Sequence, residues 1–99
     1  MKYIKIMIRI VKLTFKSEHR EDFIHFITEY RPQISNFKGC GGVKFLNDIA
    51  NPNIFFTYSH WENEDALNHY RDSELFAKVW GTVKQWFELK AEAWSVEEF

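Results

Sequence analysis

The chain has 99 residues, with 13 basic and 14 acidic side chains and a formal charge of −1. That length fits one domain over residues 1–99, and the near-balance of charge excludes nucleic acid as the main partner, because phosphate binding requires a concentrated positive field. Aromatic residues make up 18% of the chain, which leaves more large rings than a small core usually needs; the surplus belongs in the core, around a ligand or at a subunit interface.

The first apolar segment, residues 3–16, reads as a strand. Ile4, Ile6, Ile8 and Ile10 alternate with Tyr3, Lys5, Met7 and Arg9, and then Val11, Leu13 and Phe15 take over the other parity. Such a switch means that both faces are covered or that a bulge intervenes. Lys5, Arg9 and Lys12 interrupt the segment too often for a signal peptide. No stretch approaches the roughly 20 apolar residues of a membrane span. A cytoplasmic location without a membrane partner is expected.

Residues 18–37 read as a helix, with Ser17 as N-cap and Glu18, Glu21 and Asp22 at the positive end of its dipole. Phe23, Phe26, Ile27, Tyr30, Ile34 and Phe37 form one apolar stripe. Pro32 inside this pattern predicts a kink or break near Thr28 to Arg31, and Gly39 is the expected C-cap. Cys40, the single cysteine, rules out a disulfide framework or a thiolate metal site. Its place among Gly39, Gly41 and Gly42 suits a small filler at a tight strand start.

Residues 41–48 and 54–61 read as a hairpin across the turn Asp48-Ile49-Ala50-Asn51-Pro52-Asn53. The second of these strands has large groups on both parities, Phe56, Tyr58 and His60 against Phe55 and Trp61, so each of its faces needs a cover. Asn63 then caps a short helix whose inner face carries Ala66, Leu67 and Tyr70. Asp72 or Ser73 caps another helix over 74–89, with Leu75, Phe76, Val79, Trp80, Val83, Trp86 and Phe87 inward. Residues 91–96 close as a fourth strand.

The order β-α-β-β-α-α-β is that of an α+β, ferredoxin-like sandwich with a four-stranded antiparallel sheet and a divided second helix. Helices cover one face of such a sheet. The other face is too apolar here for water, and a second copy packed sheet to sheet is the economical cover, giving a homodimeric α/β barrel.

The run Phe55-Phe56-Thr57-Tyr58-Ser59-His60-Trp61, followed by Ala66-Leu67, by Tyr70-Arg71-Asp72-Ser73-Glu74-Leu75-Phe76 and by Ala93-Trp94-Ser95, resembles the antibiotic biosynthesis monooxygenase family of dimeric α/β barrels. The resemblance covers about residues 7–97 and leaves residues 1–6 as an N-terminal extension. It implies a cofactor-independent oxygenase of a small phenolic or quinol-like molecule, in which the deprotonated substrate reduces O2 directly. The protein then binds the flat substrate, stabilises its oxyanion and excludes water. The family's haem-degrading branch is similar in carrying an Asn-Trp-His set. Here the Trp position is Trp61, but the Asn and His positions fall on Val11 and Trp80, neither of which offers a lone pair to iron. Some quinol-type members pair the Trp with an Asn four residues earlier, where this chain has Thr57.

The expected site lies between sheet and helices. Trp61 donates its indole N–H to a substrate oxygen or is a core ring. Tyr70 supplies a second polar contact, and His60 is a base working near neutral pH or a structural histidine. Thr57, Tyr58, Val11 and Leu67 join Phe76 and Trp80 in contacting the substrate, the last two as apolar walls unless they are only core. Arg71 is assigned to a surface pair with Glu74 or Glu64. The four histidines show no metal spacing, although His60 and His69 could approach in space. No metal and no cofactor are expected. The alternative is a non-catalytic or stress-associated dimer that binds a small aromatic molecule in the same cavity.

Overall fold

The structure, a computed structural model, describes residues 6–99; the expected N-terminal extension and the start of the first strand fall almost wholly outside them. Four strands, β1 (Met7–Phe15), β2 (Cys40–Asn47), β3 (Ile54–Trp61) and β4 (Phe87–Glu97), form one sheet in the order β2-β3-β1-β4, with every neighbouring pair antiparallel. Three α-helices, α1 (Arg20–Ser35), α2 (Glu64–Arg71) and α3 (Glu74–Val83), complete the α+β ferredoxin-like fold.

The parity switch in β1 is explained by the sheet. Val11, Leu13 and Phe15 point to the helices, and Ile8 and Ile10 point to the other side. The irregularity lies in the partner strand, with register shifts between Lys12 and Thr14 and between Thr14 and Phe15 where β1 meets β4. Leu13, Phe15, Val43 and Phe55 of the sheet pack with Phe23, Ile27, Ile34, Val79 and Val83 of the helices. The rings of Phe15 and Phe23 stack at 4.3 Å, and Phe55 meets Phe23 edge-on at 5.0 Å. Each of these rings, once buried, stabilises by about 2–3 kcal/mol.

Several local expectations need correction. Ser17 does not cap α1. It opens a 3-10 turn (Ser17–His19), and His19 occupies the N-cap position without a side-chain cap hydrogen bond. The His19 ring instead meets Asp22 Oδ2 at 2.8 Å. Pro32 neither ends nor divides α1. The carbonyl it leaves without a donor belongs to Thr28, which is exposed. Gly39 is not the C-cap; α1 ends at Ser35, with Asn36 capping. Gly39 serves the turn into β2 at φ +85°, where an added Cβ would lie 2.6 Å from Ala66 Cβ.

Asn63 and Ser73 do cap α2 and α3, accepting from the Ala66 and Phe76 amides. The last helix is shorter than its 74–89 apolar period. It stops at Val83, a 3-10 turn spans Lys84–Trp86, and Phe87 already belongs to β4. Phe87 faces the core either way, packing 5.4 Å from Phe15, so helical spacing alone could not detect the change of element.

The second face of the sheet carries no helix. Cross-strand rows place Tyr58 beside Ile10 and Ile10 beside Trp94, His60 beside Ile8 and Ile8 beside Val96, and Leu46 beside Phe56. Leu46, Trp94 and Val96 are each more than 40% exposed. No described helix is long and apolar enough to cross a membrane.

Candidate active site

Between the helices and the covered face of the sheet lies a cavity of about 340 Å³, a size suited to a small ligand. One wall is aromatic and continuous. Trp61 stacks on Tyr70 at 5.1 Å, Tyr70 on Phe76 at 5.3 Å, and Phe76 meets Trp80 at 5.7 Å. Antiparallel register sets the floor. Arg9 lies opposite Ser59, Val11 opposite Thr57, and Ala91 and Ala93 of β4 keep the far side low.

Of the residues expected at the site, Val11, Thr57, Trp61, Leu67, Tyr70, Phe76 and Trp80 line this cavity. Tyr58 and His60 do not. Strand alternation turns them to the opposite face, where their rings meet edge-on at 5.2 Å. His60 is therefore separated from the cavity by the thickness of the sheet. His69 lies on α2 against Phe37, at 5.8 Å, so the two histidines do not come together. Among the described residues no three His, Cys, Asp or Glu side chains are grouped to hold a metal ion.

The polar end of the cavity is built from three groups. Trp61 is 1% exposed, and its indole N–H is already committed, donating to Ser59 Oγ at 2.9 Å. The Ser59 hydroxyl in turn donates to the Arg9 carbonyl at 3.4 Å. The expected donor from Trp61 to a ligand is thus spent inside the sheet, and the ring acts as a packed platform. Tyr70 differs. Its hydroxyl has no hydrogen-bond partner among the described residues, and burial, with a smaller contribution from nearby Cys40, pushes its pKa up to about 12. Tyr70 therefore stays protonated and acts as a hydrogen-bond donor near neutral pH.

Arg9 and Arg71 are the other two polar groups, and sequence reasoning missed both. Arg9 has the same parity as Val11 and Leu13, which is the signal that could have placed it over the helices. Its Nη1 donates to Ser95 Oγ at 2.9 Å. Burial, and then the neighbouring Arg71 charge, hold its pKa below the usual arginine value. Arg71 ends α2 directly after Tyr70 and lines the cavity; it forms none of the ion pairs found among the described residues, and so not the expected pair with Glu74 or Glu64. Cys40 lies opposite Trp61 in the sheet but does not line the cavity, and burial raises its thiol pKa, which suits a filler rather than a nucleophile.

Residues 6–80 match the family model of the antibiotic biosynthesis monooxygenases. No curated protein has a sequence that matches the chain. Among solved structures, the chain is similar to a conserved protein from Methanosarcina mazei Go1, with a TM-score of 0.90 at 16% identity, covering 97% of this chain and 95% of that one. It is equally similar in shape to a protein from Nitrosomonas europaea provisionally titled an antibiotic biosynthesis monooxygenase (TM-score 0.90, 14% identity, 100% and 96% covered). A Bordetella bronchiseptica protein with the same provisional title gives a TM-score of 0.86 at 20% identity, over 96% and 98% of the two chains. At such identities the shared property is the fold. With a family match over most of its length and a fold to go with it, this chain belongs to the antibiotic biosynthesis monooxygenase family.

Proposed function

We propose that this protein is a cofactor-independent monooxygenase of a small phenolic or quinol-like substrate. The observation that carries the reading is the cavity itself: a continuous aromatic wall, Trp61-Tyr70-Phe76-Trp80, beside a tyrosine hydroxyl without a hydrogen-bond partner among the described residues and two guanidinium groups. The flat wall suits a ring system, and the polar end suits a developing oxyanion.

The chemistry balances without another electron source. Loss of the phenolic proton to solvent leaves an electron-rich anion. The ring carbon para or ortho to its oxygen bonds to O2, which becomes a hydroperoxide; loss of water then leaves a carbonyl at that carbon. One oxygen atom of O2 enters the product quinone, the other leaves as water, and the substrate supplies all four electrons. Tyr70 donates to the substrate oxygen in this scheme, Arg9 and Arg71 lower the energy of its anion, and Trp61, Phe76 and Trp80 orient the ring and keep water away. Haem cleavage finds no support: Val11 and Trp80, which stand where the haem-degrading members resemble a ligand set, are apolar parts of the wall.

A homodimer belongs to the same proposal. The bare sheet face, with Ile8, Ile10, Tyr58, Trp94 and Val96 in adjoining rows, is the surface on which a second copy would pack.

Oxygen uptake with a panel of hydroquinones and polycyclic phenols, without added metal or flavin, tests the activity. Uptake above autoxidation that falls in Tyr70→Phe supports it. Uptake no faster than autoxidation across the panel refutes it and leaves a ligand-binding protein.

A further inference from the structure

Two cationic groups at one end of an otherwise apolar cavity, with no carboxylate to balance them, ask for a counter-charge. Arg9 and Arg71 both line the cavity, and no Asp or Glu does. The nearest acidic neighbour in sequence, Asp72, lies outside it, in a shallow depression shared with Asn68, Arg71 and Phe76. Arg9 is held from the side by Ser95 Oγ, a neutral acceptor that fixes the guanidinium without cancelling its charge. Ser59 and Trp61, which share this end, satisfy each other. The remaining polar capacity is therefore donor in character: the Tyr70 hydroxyl and the unused N–H groups of two arginines. The rest of the lining is largely apolar: Phe23, Ile27, Val79 and Val83 from the helices, with Val43 beside Ser59 and Phe45 beside Thr57 in the sheet.

We infer that the cavity selects an aromatic ligand that is already anionic near neutral pH, its carboxylate or ionised enol oxygen lying between Arg9 and Arg71 with its rings against Tyr70 and Phe76. A neutral phenol leaves the partly buried Arg9 beside the like charge of the more exposed Arg71. An anion relieves that repulsion and gains charge-assisted hydrogen bonds from both forks. The same placement explains how a cavity lined by no His, Asp or Glu can still serve a reaction that needs an anion: the proton is lost before entry. This inference rests on the cavity being the substrate site, and it narrows the substrate class to acidic aromatics.

The test uses the full chain and calorimetric titration at pH 7.5 with 2-naphthoate and its neutral near-isostere 2-naphthamide. The carboxylate is expected to bind about tenfold or more tightly than the amide. Most of that advantage, read as the ratio of carboxylate to amide affinity within each protein, should vanish in Arg71→Met, at an exposed helix end, and in Arg9→Met; a ratio unchanged in both variants overturns the inference. Equal or tighter binding of the amide overturns the anion preference but leaves the cavity as a ligand site. Failure of both to bind overturns the cavity reading and this inference together. 4-Nitro-1-naphthol, whose ionised form absorbs in the visible, separates the two anion sources. A bound pKa lowered by about one pH unit, a tenfold preference for the anion, assigns the arginines to an enol-type oxygen. An unshifted pKa beside tight naphthoate binding assigns them to a carboxylate. A raised bound pKa overturns the inference.

Discussion

Removing the Ser59 hydroxyl separates a structural Trp61 from a ligand-binding one. In Ser59→Ala the indole N–H loses its partner at 2.9 Å while the ring stays 1% exposed. A buried donor without an acceptor costs about 1–3 kcal/mol. Trp61→Phe costs a comparable amount for a different reason, since it removes part of a buried ring and leaves a small void, about 1–3 kcal/mol. Ser59 is not orphaned by that change, because its hydroxyl still reaches the Arg9 carbonyl. In the double variant no donor is stranded, so its cost should fall short of the two single costs combined by about 1 kcal/mol or more. Urea unfolding followed by far-ultraviolet circular dichroism, at one fixed protomer concentration, reads these differences. Ser59→Ala should move the midpoint down by roughly 0.5–1.5 M for a slope of about 2 kcal/mol/M. Additivity within about 0.5 kcal/mol would refute the reasoning. It would mean that the indole N–H looks into the cavity and that water or ligand, not Ser59, satisfies it.

Tyr70 offers a titration. Its folded pKa, about 12, lies above the ordinary 10.0, so its contribution to stability is complete below pH 10 and is lost as pH rises toward 12, a change of about 2–3 kcal/mol. Tyrosinate absorbance should show a late-titrating component that is absent from Tyr70→Phe; superimposable titration curves of the two proteins at high pH would contradict the burial argument. Gly39→Ala should destabilise by about 2 kcal/mol or more, because φ is +85° and Ala66 stands in the way. Adding Ala66→Gly should recover the contact but not the conformational cost, and full recovery in thermal melts would show that the backbone is not strained there. Trp94→Arg on the bare face should shift sedimentation toward a folded monomer if a second copy covers that face; an unchanged dimer would place the contact elsewhere.

The strand order, the hairpin and the caps at Asn63 and Ser73 were legible because each has a local cause: alternation, turn residues, or a side-chain acceptor before a helical run. The end of α3 was not, since Phe87 meets the core whether it is helical or extended. The site was legible on one side only. Leu67, Tyr70, Phe76 and Trp80 recur at helical spacing, and Val11, Thr57 and Trp61 share strand faces, so the cavity residues could be gathered from period alone. Tyr58 and His60 were carried along by chemistry against parity, and the sheet puts them on its other side. Arg9 and Arg71 were passed over because an arginine in sequence looks solvated; strand parity could have placed Arg9, whereas only tertiary placement shows that Arg71, itself exposed, borders the cavity.

The two register shifts where β4 meets β1 also bear on how the molecule meets its neighbours. β4 is a border strand, and along its bulged stretch it exposes Glu88, Lys90 and Glu92. Kinked, charged borders resist templating by a passing strand. This border of the sheet is therefore a poor template for sideways growth, even while the broad side of the sheet is greasy.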